Sequence, residues 1–117
     1  MSPPPEELID HIITHLSEEQ PELIAELGDE EVRRRVIAGI ARAHAQRFVQ
    51  PESVTAFVTL MFLVAPDFDR HPAIARALRL HGAEPERLRL LFERTREEDW
   101  EQAAAATKGW EEVLAAS

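Results

Sequence analysis

The sequence predicts an all-α protein, one domain over residues 1–117, built as a compact irregular bundle of five to seven helices around a central apolar helix at about 52–64. Three observations predict it. Apolar residues recur three and four apart along most of the chain, the period of a helix with one buried face. Pro and Gly punctuate the chain at short intervals, so the helices are short and unequal. The run from Val54 to Pro66 is apolar except for Thr55 and Thr59. It is too short for a bilayer, which needs about 20 residues, and fits a helix enclosed by others.

The first helix is predicted from Leu8, Ile9, Ile12, Ile13 and Leu16, with Pro5 in its first turn and Glu6, Glu7 and Asp10 complementing its N-terminal dipole. Ser17 is predicted to cap a second short helix carrying Leu23, Ile24 and Leu27, broken or begun at Pro21 and closed by a left-handed Gly28. Asp29 is the predicted cap of a helix reaching about Gln46, with Val32, Val36, Ile37, Ile40, Ala41 and Ala43 or His44 as its buried stripe. Gly39 inside it lowers helix propensity and points to close helix packing.

The central helix begins near Pro51 and ends at Ala65-Pro66-Asp67. Asp69 or His71 caps a short helix opened by Pro72, carrying Ile74, Ala77, Leu78 and Leu80 and stopped by Gly82. Another opens at Glu84-Pro85 with Leu88, Leu91 and Phe92 inward. A last one runs from about Glu97 through Trp100, Ala103, Ala104, Thr107, Trp110 and Leu114. On one helix, Trp100 and Trp110 would lie about 80° from alignment and border one broad face.

Charge is unevenly placed within the net −9. Residues 1–31 hold ten acids and no Lys or Arg, residues 32–96 hold twelve Arg against six acids, and residues 97–117 hold six acids and Lys108. The plain reading is that acidic ends neutralise a basic middle. The functional reading is an acidic docking face for a basic partner. An acidic chain does not suit nucleic acid, whose phosphates need clustered cations. Arg33, Arg34 and Arg35 spread around a helix and form no patch. With no cysteine, disulfides and thiolate sites are excluded. No secretory signal or membrane span is expected, and the expected location is cytoplasmic.

Two groups have metal-ligand character. Glu7, His11 and His15 are four apart on one helix face. The segment HIITH resembles the HExxH zinc helix but has Ile12 where the general base belongs. Asp67, Asp69 and His71 alternate in PDFDRH, so an extended segment would aim all three one way. The structural readings are histidines bordering an apolar stripe, and a turn in which Asp69 caps, Phe68 plugs the core and Asp67 accepts backbone bonds. No catalytic constellation or glycine-rich phosphate loop is present. Ser2, Ser17, Ser53 and Ser117 sit at termini or helix starts, and acid runs such as Glu97-Glu98-Asp99 sit at helix N-termini.

One stretch carries a resemblance. Pro21-Glu22, Leu27-Gly28, Glu31-Val32-Arg33, Gly39-Ile40, Phe57-Val58, Leu60-Met61-Phe62 and Pro66-Asp67-Phe68-Asp69 with Pro72 follow in order. Over about residues 15–75 the chain resembles small bacterial helical proteins with an LMF…G-x-DFD-x-x-P core, which look like accessory proteins encoded beside secreted effectors of type VI-like systems. The chain departs from that pattern at Arg47-Phe48-Val49, where an aromatic–Gly–Ile turn is usual, and at Ala65, where Gly is usual. The resemblance implies a shared packing core and no active site.

The function expected is therefore a non-enzymatic protein-binding module without cofactor: an adaptor, chaperone-like accessory or immunity-type binder. Glu6, Glu7, Asp10 and Trp110 are the candidate contacts with a protein partner. The alternatives are a metal or small-molecule site at His11 and His15 or at Asp67, Asp69 and His71, and a structural homodimer.

Overall fold

The computed structural model describes residues 5–115, and every described element is helical. Seven α-helices follow in order: α1 Glu6–Glu19, α2 Asp29–Ala45, α3 Pro51–Leu63, α4 Pro72–Leu78, α5 Glu84–Glu93, α6 Glu97–Ala106 and α7 Trp110–Ala115. Single 3-10 turns at Pro21–Leu23 and Phe68–Arg70 join α1 to α2 and α3 to α4. Among the described residues no helix is long and apolar enough to cross a membrane.

The helix α3 is the centre, as its composition predicts. It packs against α1, α2 and α5. Ser53, Val54, Thr55, Phe57, Val58 and Met61 are buried on it. The α2–α3 crossing is tight because Gly39 has no side chain: a Cβ there would lie 3.0 Å from Val58 Cγ2 and 3.3 Å from Met61 Sδ. The stripe Val32, Val36, Ile40, Ala43 faces inward, while Ala41 and His44 are exposed.

All seven aromatic side chains fall into two groups. Phe48, Phe57, Phe68, Trp100 and Phe92 form a run, with neighbouring ring centroids 5.0–5.9 Å apart. Phe62 and Trp110 pair at 5.0 Å. Such pairs contribute about 0.5–1.5 kcal/mol each beyond the area they bury. Arg87 closes the far end of the run, its guanidinium 4.2 Å from the centre of the Phe48 ring.

Several local expectations are corrected. Pro5 is the N-cap of α1 and not in its first turn. Ser17 lies inside α1 and donates back to the Ile13 carbonyl at 2.9 Å, so the expected second helix shrinks to one 3-10 turn. Gly28 has φ −73°, so it is not left-handed and caps α2 in place of Asp29. The left-handed residue near the end of α2 is Arg47, at φ 67°. Its N–H donates to His44 and that of Phe48 to Ala43, the paired bonds of a Schellman cap.

The helix α5 is rotated from its expected facing. Leu91 is buried and Leu88 half-buried, but Phe92 is 53 % exposed and Arg87 is buried instead. The single last helix is two, broken at Thr107, Lys108 and a left-handed Gly109. The two Trp therefore do not share a helix. Trp100 stacks between Phe68 and Phe92, and Trp110 sits between Phe62 and the guanidinium of Arg35.

Candidate docking trough

The loop PDFDRH is taken up by the fold. Asp67 Oδ1 accepts from the Thr107 hydroxyl at 2.6 Å, and Oδ2 from the Lys108 N–H at 2.9 Å, forty residues away. It does not serve its own turn alone. Burial, the largest influence on this carboxyl, pushes its pKa up. The hydrogen bonds from Lys108, Thr107 and its own backbone, with the charge of Arg70, outweigh burial and hold it below the usual range.

Asp69 does not cap α4. It accepts two bonds from Arg42 Nε, a third from Arg42 Nη2 at 2.7 Å, and one from Gln46 Nε2 at 3.1 Å. The cap of α4 is His71, whose Nδ1 accepts the Ala73 N–H at 3.2 Å. Its Nε2 then donates to Gln102 Oε1 at 2.9 Å. The three alternate residues thus turn to three different partners. On α1, Glu7 and His11 are exposed and His15 is half-buried. Among the described residues no group of three or more His, Asp or Glu side chains is placed to hold a metal ion.

The partner-binding candidates divide. Glu6 pairs with Arg33 of α2, and that guanidinium holds its carboxyl below the usual range. Glu7 and Asp10 are exposed. Trp110 is half-buried with a ring on one side and a cation on the other, so it is packed and not a free anchor.

What the structure does assemble is a trough between α1 and α3. One end, of about 650 Å³, is lined by Pro5, Glu7, Leu8, His11, His44, Val49, Pro51 and Glu52. The other, of about 310 Å³, is lined by His15, Glu52, Thr55, Ala56, Thr59, Leu60 and Phe92. Glu52 lines both. The floor is the side of α3 that α1, α2 and α5 leave uncovered. Glu52, Ala56 and Thr59 follow one another at three- and four-residue spacing along it.

Among the described residues three large apolar side chains stand exposed: Val49 at 64 %, Phe92 at 53 % and Leu63 at 49 %. The first two line the trough, and Leu63 lies on α3 outside its lining residues. The ionisable residues lining it are Glu7, Glu52 and three histidines, with no Lys or Arg. Glu7 and His11 continue into Thr14 and Glu18, an exposed ridge beside the trough.

Sequence reasoning reached Glu7, His11 and His15 by their spacing as metal ligands, and Glu7 also as a candidate contact with a protein partner. It missed Val49, Glu52 and Phe92, which look like core or helix-start residues until the facing of α3 and α5 is known. Comparison of the chain with family models, with curated proteins and with solved structures yields no match.

Proposed function

We propose that this chain is a non-enzymatic protein-binding module whose docking surface is the α1–α3 trough. The observation that carries this reading is the exposure of Val49 and Phe92 in two neighbouring open depressions that share Glu52 of the central helix. Large apolar side chains gathered along a groove, with polar groups at its edge, mark interaction sites. An adaptor, a chaperone-like accessory and an immunity-type binder are all forms of this role. The carboxylates nearest to catalytic character, Asp67 and Asp69, are occupied by Thr107, Lys108, Arg42 and Gln46, which supports a binding role over a chemical one.

The test is site-specific photo-crosslinking in cells. A photoreactive phenylalanine analogue replaces Phe92 or Val49 in the trough, or Arg76 on α4 as a control. One protein captured from both trough positions and not from Arg76 is the expected result. Equal capture from all three, or capture from Arg76 alone, removes the trough as the docking surface.

A further inference from the structure

Resting on that reading, we infer that the occupant of the trough is a cationic amphipathic helix of about three to four turns, which sets a Lys or Arg against Glu52 between two apolar anchors.

The length follows from the floor. Pro51–Leu63 is 13 residues, which at 1.5 Å per residue is about 20 Å. A partner helix of about 13–15 residues covers it. The form follows from the fold. A strand partner needs a sheet edge and a polyproline ligand needs an aromatic-lined groove. The described elements are all helical, and Phe92 is the single aromatic residue among those lining the trough. A helix laid along α3 adds a further neighbour to a helix already packed by others, with apolar residues at three- and four-residue spacing meeting the two ends.

The charge follows from the lining. The apolar contacts at one end are Leu8, Val49 and Pro51, and at the other Ala56, Leu60 and Phe92. Between them stands the carboxylate of Glu52. An apolar partner covering it would bury an unpaired charge, which is costly. A cation set opposite it satisfies it. Glu7 and Glu18 on the α1 ridge favour further cations on the partner's flank. A second copy of this chain fits poorly. A two-fold contact would bring the same acidic lining, Glu7 and Glu52, to both sides of the interface with no Lys or Arg among the lining residues to pair it, in a chain of net charge −9.

The test uses synthetic peptides of about 15 residues in an alanine-rich helical frame. One carries leucines at three- and four-residue spacing with a central lysine on the same face and lysines on its flanks. A second has glutamate at the lysine positions, and a third has glutamine there. Binding to the full chain is measured by isothermal titration at low and moderate salt, with amide shifts at Ala56 and Thr59 locating it. The lysine peptide should bind at least about tenfold more tightly than the glutamate peptide and weaken as salt rises. Glu52→Lys should lose that binding and gain the glutamate peptide, with unchanged circular dichroism showing that it folds.

Equal affinity for all three peptides, or no effect of Glu52→Lys, overturns the cationic occupant while leaving the trough as a docking surface. If no peptide binds while crosslinking through Phe92 still captures a protein, the helical occupant is overturned and the trough again stands. Capture through Phe92 of another copy of this chain makes the occupant a homodimer partner and overturns the proposal.

Discussion

The Nη2 of Arg87 donates to the carbonyl of Gln46 at 2.8 Å, joining the first turns of α5 to the end of α2 across 41 residues. The same nitrogen reaches the Leu78 carbonyl at the end of α4 at 2.9 Å, and Nη1 reaches Arg47 at 3.1 Å. One buried cation thus satisfies carbonyls at two helix C-termini, where the dipole is negative. Glu84, one turn earlier, accepts the N–H groups of Val49 and Gln50 at 2.9 and 3.0 Å. The α2–α3 connection is gripped by its carbonyls on one side and its amides on the other.

Arg87→Met is therefore expected to lower stability by about 3 kcal/mol or more, because three carbonyls lose a charged donor. Arg87→Lys recovers only part of this, since an ammonium cannot reproduce the planar fork or its stacking on Phe48. Urea denaturation followed by circular dichroism measures both. A loss below about 1 kcal/mol for Arg87→Met, the worth of a single ordinary hydrogen bond, would contradict the assigned role.

Arg47 holds a left-handed backbone at φ 67°, which costs an L-residue roughly 1–2 kcal/mol relative to glycine. Its charge also acts against Arg87. Arg47→Gly should raise stability by about 0.5–1 kcal/mol, after the extra freedom glycine gives the unfolded chain is subtracted. A melting temperature that falls would show that the arginine side chain contributes a contact of its own.

Asp67 is expected to make the fold acid-sensitive. Its carboxyl lies below the usual range in the folded protein and near about 3.9 in the unfolded chain. The unfolded state therefore takes up the proton first. The stability this group contributes is complete above about pH 5 and is lost as pH falls through the lower folded value. Asp67→Asn should cost about 1–3 kcal/mol at neutral pH, because an amide cannot accept from both Thr107 and Lys108 in the same geometry. It should also flatten the loss of stability as pH falls below about 4. Melts from pH 7 to 2.5 compare the two proteins, and curves that stay parallel throughout would remove Asp67 as the source.

At Gly39 two effects oppose each other. Alanine gains about 1 kcal/mol of helix propensity, but its methyl would stand 3.0 Å from a Val58 side chain that is wholly buried. A β-branched residue in a helix has little rotamer choice and cannot turn aside. Overpacking of about 1–3 kcal/mol is expected to win, so Gly39→Ala lowers stability by about 1 kcal/mol net. In a Val58→Ala background the same change should turn stabilising. A double-mutant cycle without coupling would place the strain elsewhere.

The helices α1, α2 and α3 were legible because Ile9, Ile12 and Leu16, or Val32, Val36 and Ile40, repeat a spacing that burial alone requires. Residues whose position depends on distant partners were not. Thr107 and Lys108 continue a helical pattern in sequence, yet their bonds to Asp67 bend the chain out of it. Arg87 reads as a solvated charge until three carbonyls are brought to it, and Phe92 reads as core until Arg87 takes the inward position. The trough is legible only in part for the same reason. Its acidic edge is local to α1, but its floor is defined by what α1, α2 and α5 fail to cover.

The grip of α5 on the α2–α3 connection also makes one end of the trough depend on residues far along the chain. Without α5, the Val49 and Gln50 amides lose their acceptor Glu84, and the Gln46 and Arg47 carbonyls lose their donor Arg87. Phe92 comes from the same helix. A single short helix therefore both pins the connection that presents Val49 and supplies the apolar side chain at the other end.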